Sequence, residues 1–109
     1  GEMKHGPIAL VEPSLFTVAV AVQGSVYEKM IGNIQEIKAR EGPVIGVATD
    51  GDDYIPGEAD HVLWVPPCPE LVSPATVQIP LQLFAYHVAD LRGCPIDQPR
   101  NLAKTVTVE

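Results

Sequence analysis

The sequence is short of basic residues, and this shortage limits what the protein can bind. Only 7 of its 109 residues are Lys or Arg, against 14 Asp or Glu, so the formal net charge is -7. Nucleic-acid binding requires clustered cations that neutralise phosphates, whereas the basic side chains here are scattered. No apolar run approaches the ~20 residues of a membrane span, and nothing resembles a signal peptide. We therefore expect neither a nucleic-acid partner nor a membrane.

Cysteine is also scarce, because the chain has only Cys68 and Cys94. Their separation fits no metal-ligand spacing and no secreted disulfide framework. We interpret both as reduced thiols in a cytoplasmic protein. The acidic stretch "TDGDD", residues 49–53, lacks the ordered oxygen ligands and the distal glutamate of a calcium loop. We interpret it as a solvated loop, and we predict neither a metal site nor a cofactor.

What the sequence does contain is aliphatic residues, and the hydrophobic share is 46%. A chain of this length buries roughly two thirds of its unfolded surface on folding, which is enough for one domain or part of one. Three short apolar runs are predicted to be strands. The first has the pattern of a strand covered on both faces, and the second is predicted to be buried. These runs are "FTVAVAV" at 16–22, "PVIGVA" at 43–48 and "HVLWVP" at 61–66.

A helix is predicted between the first two strands. Ser25 and Glu28 have the spacing of a capping box at its start. An apolar stripe at helical spacing follows, formed by Met30, Ile31, Ile34 and Ile37. The dipeptide Gly42-Pro43 is typical of a helix end.

A second helix is predicted over "VQIPLQLFAYHVADLRG", residues 77–93, with Gly93 as its stop. Pro80 lies inside or near its start, so we expect a kink or a restart there. One face carries Leu81, Phe84, Val88 and Leu91. His87 lies beside that face, and we interpret it as a packing histidine because no Cys or Asp lies near it at nucleophile spacing.

The predicted order of elements is β-α-β-β-α, with strands that are apolar throughout. This order indicates an α/β fold with three layers, in which a mostly parallel sheet is flanked by helices. Three strands make a thin sheet, so we expect an exposed edge that an upstream piece would cover. The chain opens "GEMKHGPIALV" without a plausible translation start at residue 1, which leads us to expect a piece of a longer protein.

Three polar stretches could carry chemistry. The turn "VQGS", residues 22–25, precedes a helix and could bind an anion, although an ordinary connection explains it better. His5 in "EMKHGP" offers proton transfer near neutral pH, or is simply part of a polar loop. Lys104 in "NLAKTV" has apolar neighbours that could desolvate its amine and make it nucleophilic, or is a surface lysine.

Both ends of the chain resemble one known family. The stretches "GEMKHGPIALVEP", "VQIPLQLFAYHVADLRG" and "DQPRNLAKTVTVE" are similar to the C-terminal sugar-isomerase (SIS) region of glutamine–fructose-6-phosphate aminotransferases. The resemblance covers essentially the whole chain. It implies a flavodoxin-like SIS fold, present here as a partial domain. Residues 1–109 would be the C-terminal portion of the second SIS subdomain, with an active-site tail at about 94–109.

The resemblance also implies roles for three residues. Lys104 matches the lysine that forms a Schiff base with open-chain fructose 6-phosphate, and Ala103 would touch the sugar through its backbone. His5 matches the histidine that assists ring opening and reaches the active site of a neighbouring subunit, which implies a homodimer. The implied reaction converts fructose 6-phosphate and glutamine-derived ammonia to glucosamine 6-phosphate. It is the first step of UDP-N-acetylglucosamine synthesis in the cytoplasm.

Other parts of the family's machinery have no counterpart in residues 1–109. These are the proton-transferring glutamate upstream of the KHGP motif, the Ser/Thr-rich phosphate pocket of the first SIS subdomain and the glutaminase domain. We therefore expect the chain alone to be inactive. The departures within the motifs are mild, with Met3 for the usual Leu and Thr105 for the common Ser. The alternative is a non-catalytic SIS module that binds sugar phosphates for regulation, which would not need the lysine of "RNLAKTVTVE".

Overall fold

A computed structural model describes residues 2–98 of the chain. Within this range three parallel strands form one sheet with helices on both sides, which confirms the predicted three-layer α/β fold. The strands and α-helices are β1 (Thr17–Ala21), α1 (Tyr27–Lys38), β2 (Val44–Thr49), α2 (Ile55–Glu58), β3 (His61–Val65) and α3 (Ser73–Leu91). Short 3-10 helices cover Met3–His5, Pro7–Leu10 and Glu70–Val72.

The sheet has the order β1-β2-β3, so β2 is its central strand. Val47 of β2 pairs with Val20 of β1 on one side and with Leu63 of β3 on the other. Every residue of β2 is buried, as predicted for a strand covered on both faces. The short helix α2 was not predicted from the sequence, and it supplies the crossover between β2 and β3 that parallel pairing requires.

The two faces of the sheet are packed by different helices. Helices α1 and α2 cover one face, with Ile34 and Ile55 fully buried beside Val44 and Ala48 of β2. Helix α3 covers part of the other face, where Val77 packs with Val47 and Val65. Because side chains alternate along a strand, this two-sided packing follows from the period-2 geometry of β2.

The prediction that β1 is covered on both faces was wrong. Ala19 and Ala21 are buried beneath α1, whereas Val18 and Val20 are 39% and 37% exposed. Alternation along the strand directs these two valines to the opposite face. Helix α3 covers the part of that face nearer β3, so β1 is left open on this side in the described structure.

The predicted capping box at the start of α1 was also wrong. The N-cap residue is Val26, which makes no side-chain cap hydrogen bond. The Ser25 hydroxyl instead donates to Glu70, 45 residues further along the chain. The end of α1 also differs from the predicted Gly42-Pro43 pattern. The residue with a left-handed φ is Glu41, at 60°, and Gly42 follows it. A Cβ at Gly42 would lie 2.5 Å from Val11 Cγ1, so glycine is needed there for close packing.

Helix α3 begins earlier than predicted and runs without interruption through Pro80, so no restart occurs there. Val77 and Leu81, on either side of Pro80, pack against the sheet, and this packing offsets the loss of one backbone hydrogen bond. Most of the predicted apolar face is not buried, since Phe84, Val88 and Leu91 are exposed. The predicted stop at Gly93 is confirmed, because the helix ends at Leu91 and Gly93 adopts a left-handed φ of 64°.

Candidate functional site

His5 lies on a surface segment that precedes the sheet. The segment consists of the 3-10 helices Met3–His5 and Pro7–Leu10, joined by Gly6. The backbone N–H of His5 donates to the Glu2 carbonyl over 3.0 Å, and the residue is exposed. No residue of either 3-10 helix is buried, so local structure alone fixes the segment only weakly.

Contacts with the α1 side of the domain hold this segment in place. Met3 packs against the buried cluster beneath α1. The Lys4 ammonium lies 2.6 Å from Glu36 Oε1 on α1. Val11 also packs against this cluster, and its Cγ1 atom fills the space that a side chain at position 42 would need. The exposed imidazole of His5 is therefore carried on a segment that is anchored before and after it.

His5 is the one predicted site residue that lies within residues 2–98. Lys104 and Ala103 lie outside the described residues, as does most of the predicted active-site tail. The tail's first residues are described: the Cys94 N–H donates to the Ala89 carbonyl over 2.9 Å. Pro95 and Ile96 line a cavity of about 530 Å³ beside Tyr86 of α3.

A polar network occupies the carboxyl ends of β1 and β2, where open α/β sheets place their ligands. Asp52 is its centre and is only 7% exposed. One carboxylate oxygen accepts from the Tyr27 hydroxyl over 2.6 Å and from the Gln23 side-chain amide over 2.9 Å. The other accepts from the backbone N–H groups of Tyr54 and Ile55, each over 2.9 Å. A cavity of about 460 Å³ lies beside this network.

The network changes the ionisation of two side chains. Burial alone would raise the pKa of Asp52, but its hydrogen bonds from Tyr27 and from the Ile55 and Tyr54 amides outweigh burial, and the pKa lies below its ordinary value. Burial, followed by the hydrogen bond to Asp52, raises the pKa of the Tyr27 hydroxyl. Asp52 is therefore an ionised acceptor with all four hydrogen bonds made, which suits a structural role.

The interpretation of "TDGDD" as a solvated loop was wrong at Asp52. The carboxylate accepts from the backbone N–H groups of Tyr54 and Ile55, at the N-cap and first residue of α2, and so orients that helix. The sequence held one signal for this, because Asp52 stands shortly before Ile55-Pro56 and proline favours a first helical turn. Within residues 2–98 no group of three or more His, Cys, Asp or Glu side chains is arranged to hold a metal ion.

In the turn before α1, interpreted as an ordinary connection, the hydrogen-bond donors of Ser25 are occupied by a side chain of this chain. Glu70 accepts from the Ser25 hydroxyl over 2.6 Å and from the Ser25 N–H over 3.2 Å. The hydroxyl bond and then the backbone bond lower the pKa of the Glu70 carboxyl. A Cβ at Gly24 would lie 3.1 Å from the Glu70 carboxyl carbon, so the carboxylate sits tightly against the turn.

The other histidines are exposed. His61 stacks on Phe16 with ring centroids 6.1 Å apart. His87 meets Tyr86 edge-on at 5.3 Å and is exposed, so the interpretation of His87 as a packing histidine was wrong for this structure. Cys68 and Cys94 are unpaired thiols, as predicted. Among the helices of the described region, none combines the length and the apolar character that crossing a membrane would need.

Comparison with curated proteins identifies relatives of the whole chain. It is 54% identical over 109 residues to the isomerizing glutamine–fructose-6-phosphate aminotransferase of Thermus thermophilus, covering 100% of this chain and 18% of that protein. The protein of the same name in Bacteroides thetaiotaomicron is 52% identical over 108 residues, which is 99% of this chain and 18% of that protein. The chain therefore spans less than a fifth of the length of these relatives.

A solved structure supports the same relationship. The C-terminal domain of glucosamine-fructose-6-phosphate aminotransferase from Francisella tularensis matches with a TM-score of 0.78 and 35% identity, over 91% of this chain and 28% of that one. The family model described as the SIS domain matches residues 1–92. The predicted resemblance is thereby confirmed, and the chain belongs to the SIS domain family.

Proposed function

We propose that this chain is the C-terminal part of the isomerase domain of a glutamine–fructose-6-phosphate aminotransferase. The observation that carries the proposal is the identity of 54% to the Thermus thermophilus enzyme across all 109 residues. In the whole protein, fructose 6-phosphate and ammonia from glutamine would yield glucosamine 6-phosphate. The chain would form the last portion of the second SIS subdomain, with the active-site tail at about 94–109.

In this proposal Lys104 is the nucleophile. Its unprotonated amine attacks the carbonyl carbon of the open-chain sugar, and loss of water gives a Schiff base. Ala103 would contact the sugar through its backbone. The apolar neighbours Leu102, Ala103 and Val106 in the sequence would desolvate the amine and favour its neutral form.

His5 would transfer the proton that opens the sugar ring. An exposed imidazole on an anchored segment suits a residue that acts on a site built by other parts of the protein, such as a neighbouring subunit. We therefore also propose a homodimer in the cytoplasm, with further SIS and glutaminase domains in the same polypeptide. The upstream parts would supply the phosphate pocket and the proton-transferring glutamate, so residues 1–109 alone should not turn over.

The proposal is tested by trapping the Schiff base in a chimera. Residues 1–109 would replace the matching segment of the Thermus thermophilus relative, and the chimera would be treated with fructose 6-phosphate and borohydride. Peptide mass spectrometry should find the reduced sugar adduct on Lys104, and a Lys104→Arg chimera should show none. An adduct absent from Lys104, while the unaltered Thermus protein is trapped under the same conditions, would refute the assignment.

The alternative of a non-catalytic module that binds sugar phosphates makes a different prediction. Such a module would bind fructose 6-phosphate with equal affinity in the wild-type and Lys104→Arg chimeras, and borohydride would trap nothing on either. Similarity to named aminotransferases across the full chain, including the tail, supports the catalytic proposal over this one.

A further inference from the structure

We propose that Glu36, on helix α1, is a positioning residue for His5. The proposal rests on the proposed function, because it requires that His5 takes part in the reaction. Glu36 binds Lys4, and Lys4 directly precedes His5 in the chain. The carboxylate would thus act through Lys4 and its backbone, without touching the sugar itself.

The geometry favours Glu36 as the fixed partner of this ion pair. It lies in the last turn of α1, between Ile34 and Ile37, which are both buried against the sheet. Its side chain is 30% exposed, whereas that of Lys4 is 61% exposed. A helix held by two buried isoleucines is a rigid support, and Glu36 presents a carboxylate from it at 2.6 Å from the Lys4 ammonium.

The segment that carries His5 needs such a support. Its two 3-10 helices are three and four residues long and contain no buried residue. Met3 and Val11 anchor the segment on the core at positions two residues before and six residues after His5. Among the anchors in the described structure, the Lys4–Glu36 ion pair is the one adjacent to the imidazole-bearing residue.

An exposed ion pair contributes little to folding stability, because solvent screens it. Catalysis is more sensitive to position, since misplacement of a reacting group by roughly 1 Å can cost on the order of 10²-fold in rate. Loss of the ion pair should therefore lower turnover while leaving the unfolding transition nearly unchanged. This combination separates a positioning role from a purely structural one.

The test uses the same chimera and compares four variants. Glu36→Gln should lower kcat for fructose 6-phosphate by roughly 3- to 30-fold with little change in KM. The charge-swapped Lys4→Glu/Glu36→Lys pair should recover most of this loss. Lys38→Met is the matched control, because it breaks the Lys38–Asp60 ion pair at the end of the same helix without touching the segment of His5, and it should leave kcat unchanged. His5→Ala tests the underlying role of His5.

Amide hydrogen exchange gives a second readout that does not require turnover. Peptides spanning residues 2–10 should exchange faster in Glu36→Gln than in wild type or Lys38→Met. Unchanged kcat or unchanged exchange in Glu36→Gln overturns the inference, and the proposed function stands if His5→Ala still lowers kcat. A His5→Ala chimera with normal kcat overturns both the inference and the proposed role of His5, while an adduct on Lys104 would still support the Schiff base.

Discussion

The two faces of the sheet differ in how completely they are packed. Within residues 2–98, the face covered by α1 and α2 contains a cluster of eight buried residues, whereas the face covered by α3 contains three. Yet α3 is rich in apolar side chains, of which Ile79, Leu83 and Leu91 are 59%, 53% and 87% exposed. Apolar residues are plentiful on both faces, so the faces differ in how much of this apolar surface the described structure covers.

An exposed apolar surface of this kind is typical of one that other parts of a protein, or another copy, cover. The open side of β1, with Val18 and Val20, continues the same face. The match covers 28% of the solved Francisella tularensis domain, so such a domain has further residues that can cover this apolar face. The contribution of the α1 face to folding stability is thus the one that contacts within this chain determine.

The largest expected effect is loss of packing on the α1 face. Ile34 is fully buried, so Ile34→Ala should lower the free energy of unfolding by about 2–5 kcal/mol. Val77→Ala, on the α3 face, removes fewer atoms from a smaller cluster and should cost clearly less. Urea denaturation of the 109-residue chain followed by circular dichroism measures both. Equal costs would contradict the contrast between the faces.

A methyl group added beneath α2 should also destabilise the packed face. A Cβ at Gly46 would lie 2.8 Å from Ile55 Cγ2 and 3.3 Å from Ala59 Cβ, so Gly46→Ala should cost about 1–3 kcal/mol through overpacking. The matched control is Gly32→Ala in α1, where a Cβ meets nothing within 4 Å. That change should stabilise by up to about 1 kcal/mol, because Ala is the better helix former. Thermal unfolding distinguishes the opposite signs.

The Asp52 network should make part of the stability depend on pH. Asp52→Asn removes an ionised acceptor and should cost about 1–3 kcal/mol at neutral pH. The folded-state pKa of Asp52 is lowered, so its contribution is present above the unfolded value of about 3.9 and is lost as pH falls through the folded value. The stability gap between wild type and Asp52→Asn should therefore narrow below about pH 4.

Asp53→Asn provides the control for this prediction, because Asp53 is the exposed neighbour of Asp52. Its stability should follow that of the wild type across the pH range, within about 0.5 kcal/mol. Denaturant midpoints measured from about pH 3 to about pH 7 give the comparison. A constant gap between wild type and Asp52→Asn throughout that range would show that the charge of Asp52 does not matter.

The smallest effect on stability is expected on the uncovered face. Leu83 is 53% exposed, so Leu83→Gln should change the free energy of unfolding by no more than about 0.5 kcal/mol. The exposed apolar side chains of α3 should make the isolated chain self-associate. Leu83→Gln should reduce this self-association, as measured by light scattering after size-exclusion chromatography. Gln78→Ala, at an exposed polar position of the same helix, is the control. A wild-type chain that is monomeric at high concentration would contradict the expected self-association.

Helices and strands were predicted well where apolar residues recur closely at the spacing of that element. The stripe of Ile31, Ile34 and Ile37 located α1, and β2 was predicted to within one residue at each end. The ends of α1 were predicted less well, because the Ser25 hydroxyl could bond either within its own turn or to a distant group. It bonds to Glu70, and no local pattern around Ser25 indicates that partner. The burial of Asp52 was not predicted for the same reason. Two of its donors, Gln23 and Tyr27, precede β2 in the sequence, whereas Asp52 follows it.

The α/β class, the parallel strands and the family all follow from the sequence, because apolar periodicity and the end motifs are local patterns. His5 was also singled out by its motif. Folding was needed to show that His5 is exposed and that Lys4 beside it pairs with Glu36, 32 positions away. Folding also settles which apolar helix is buried, since burial depends on what the fold brings against each face. Apolar character is a property of the residues, whereas contact is a property of their arrangement.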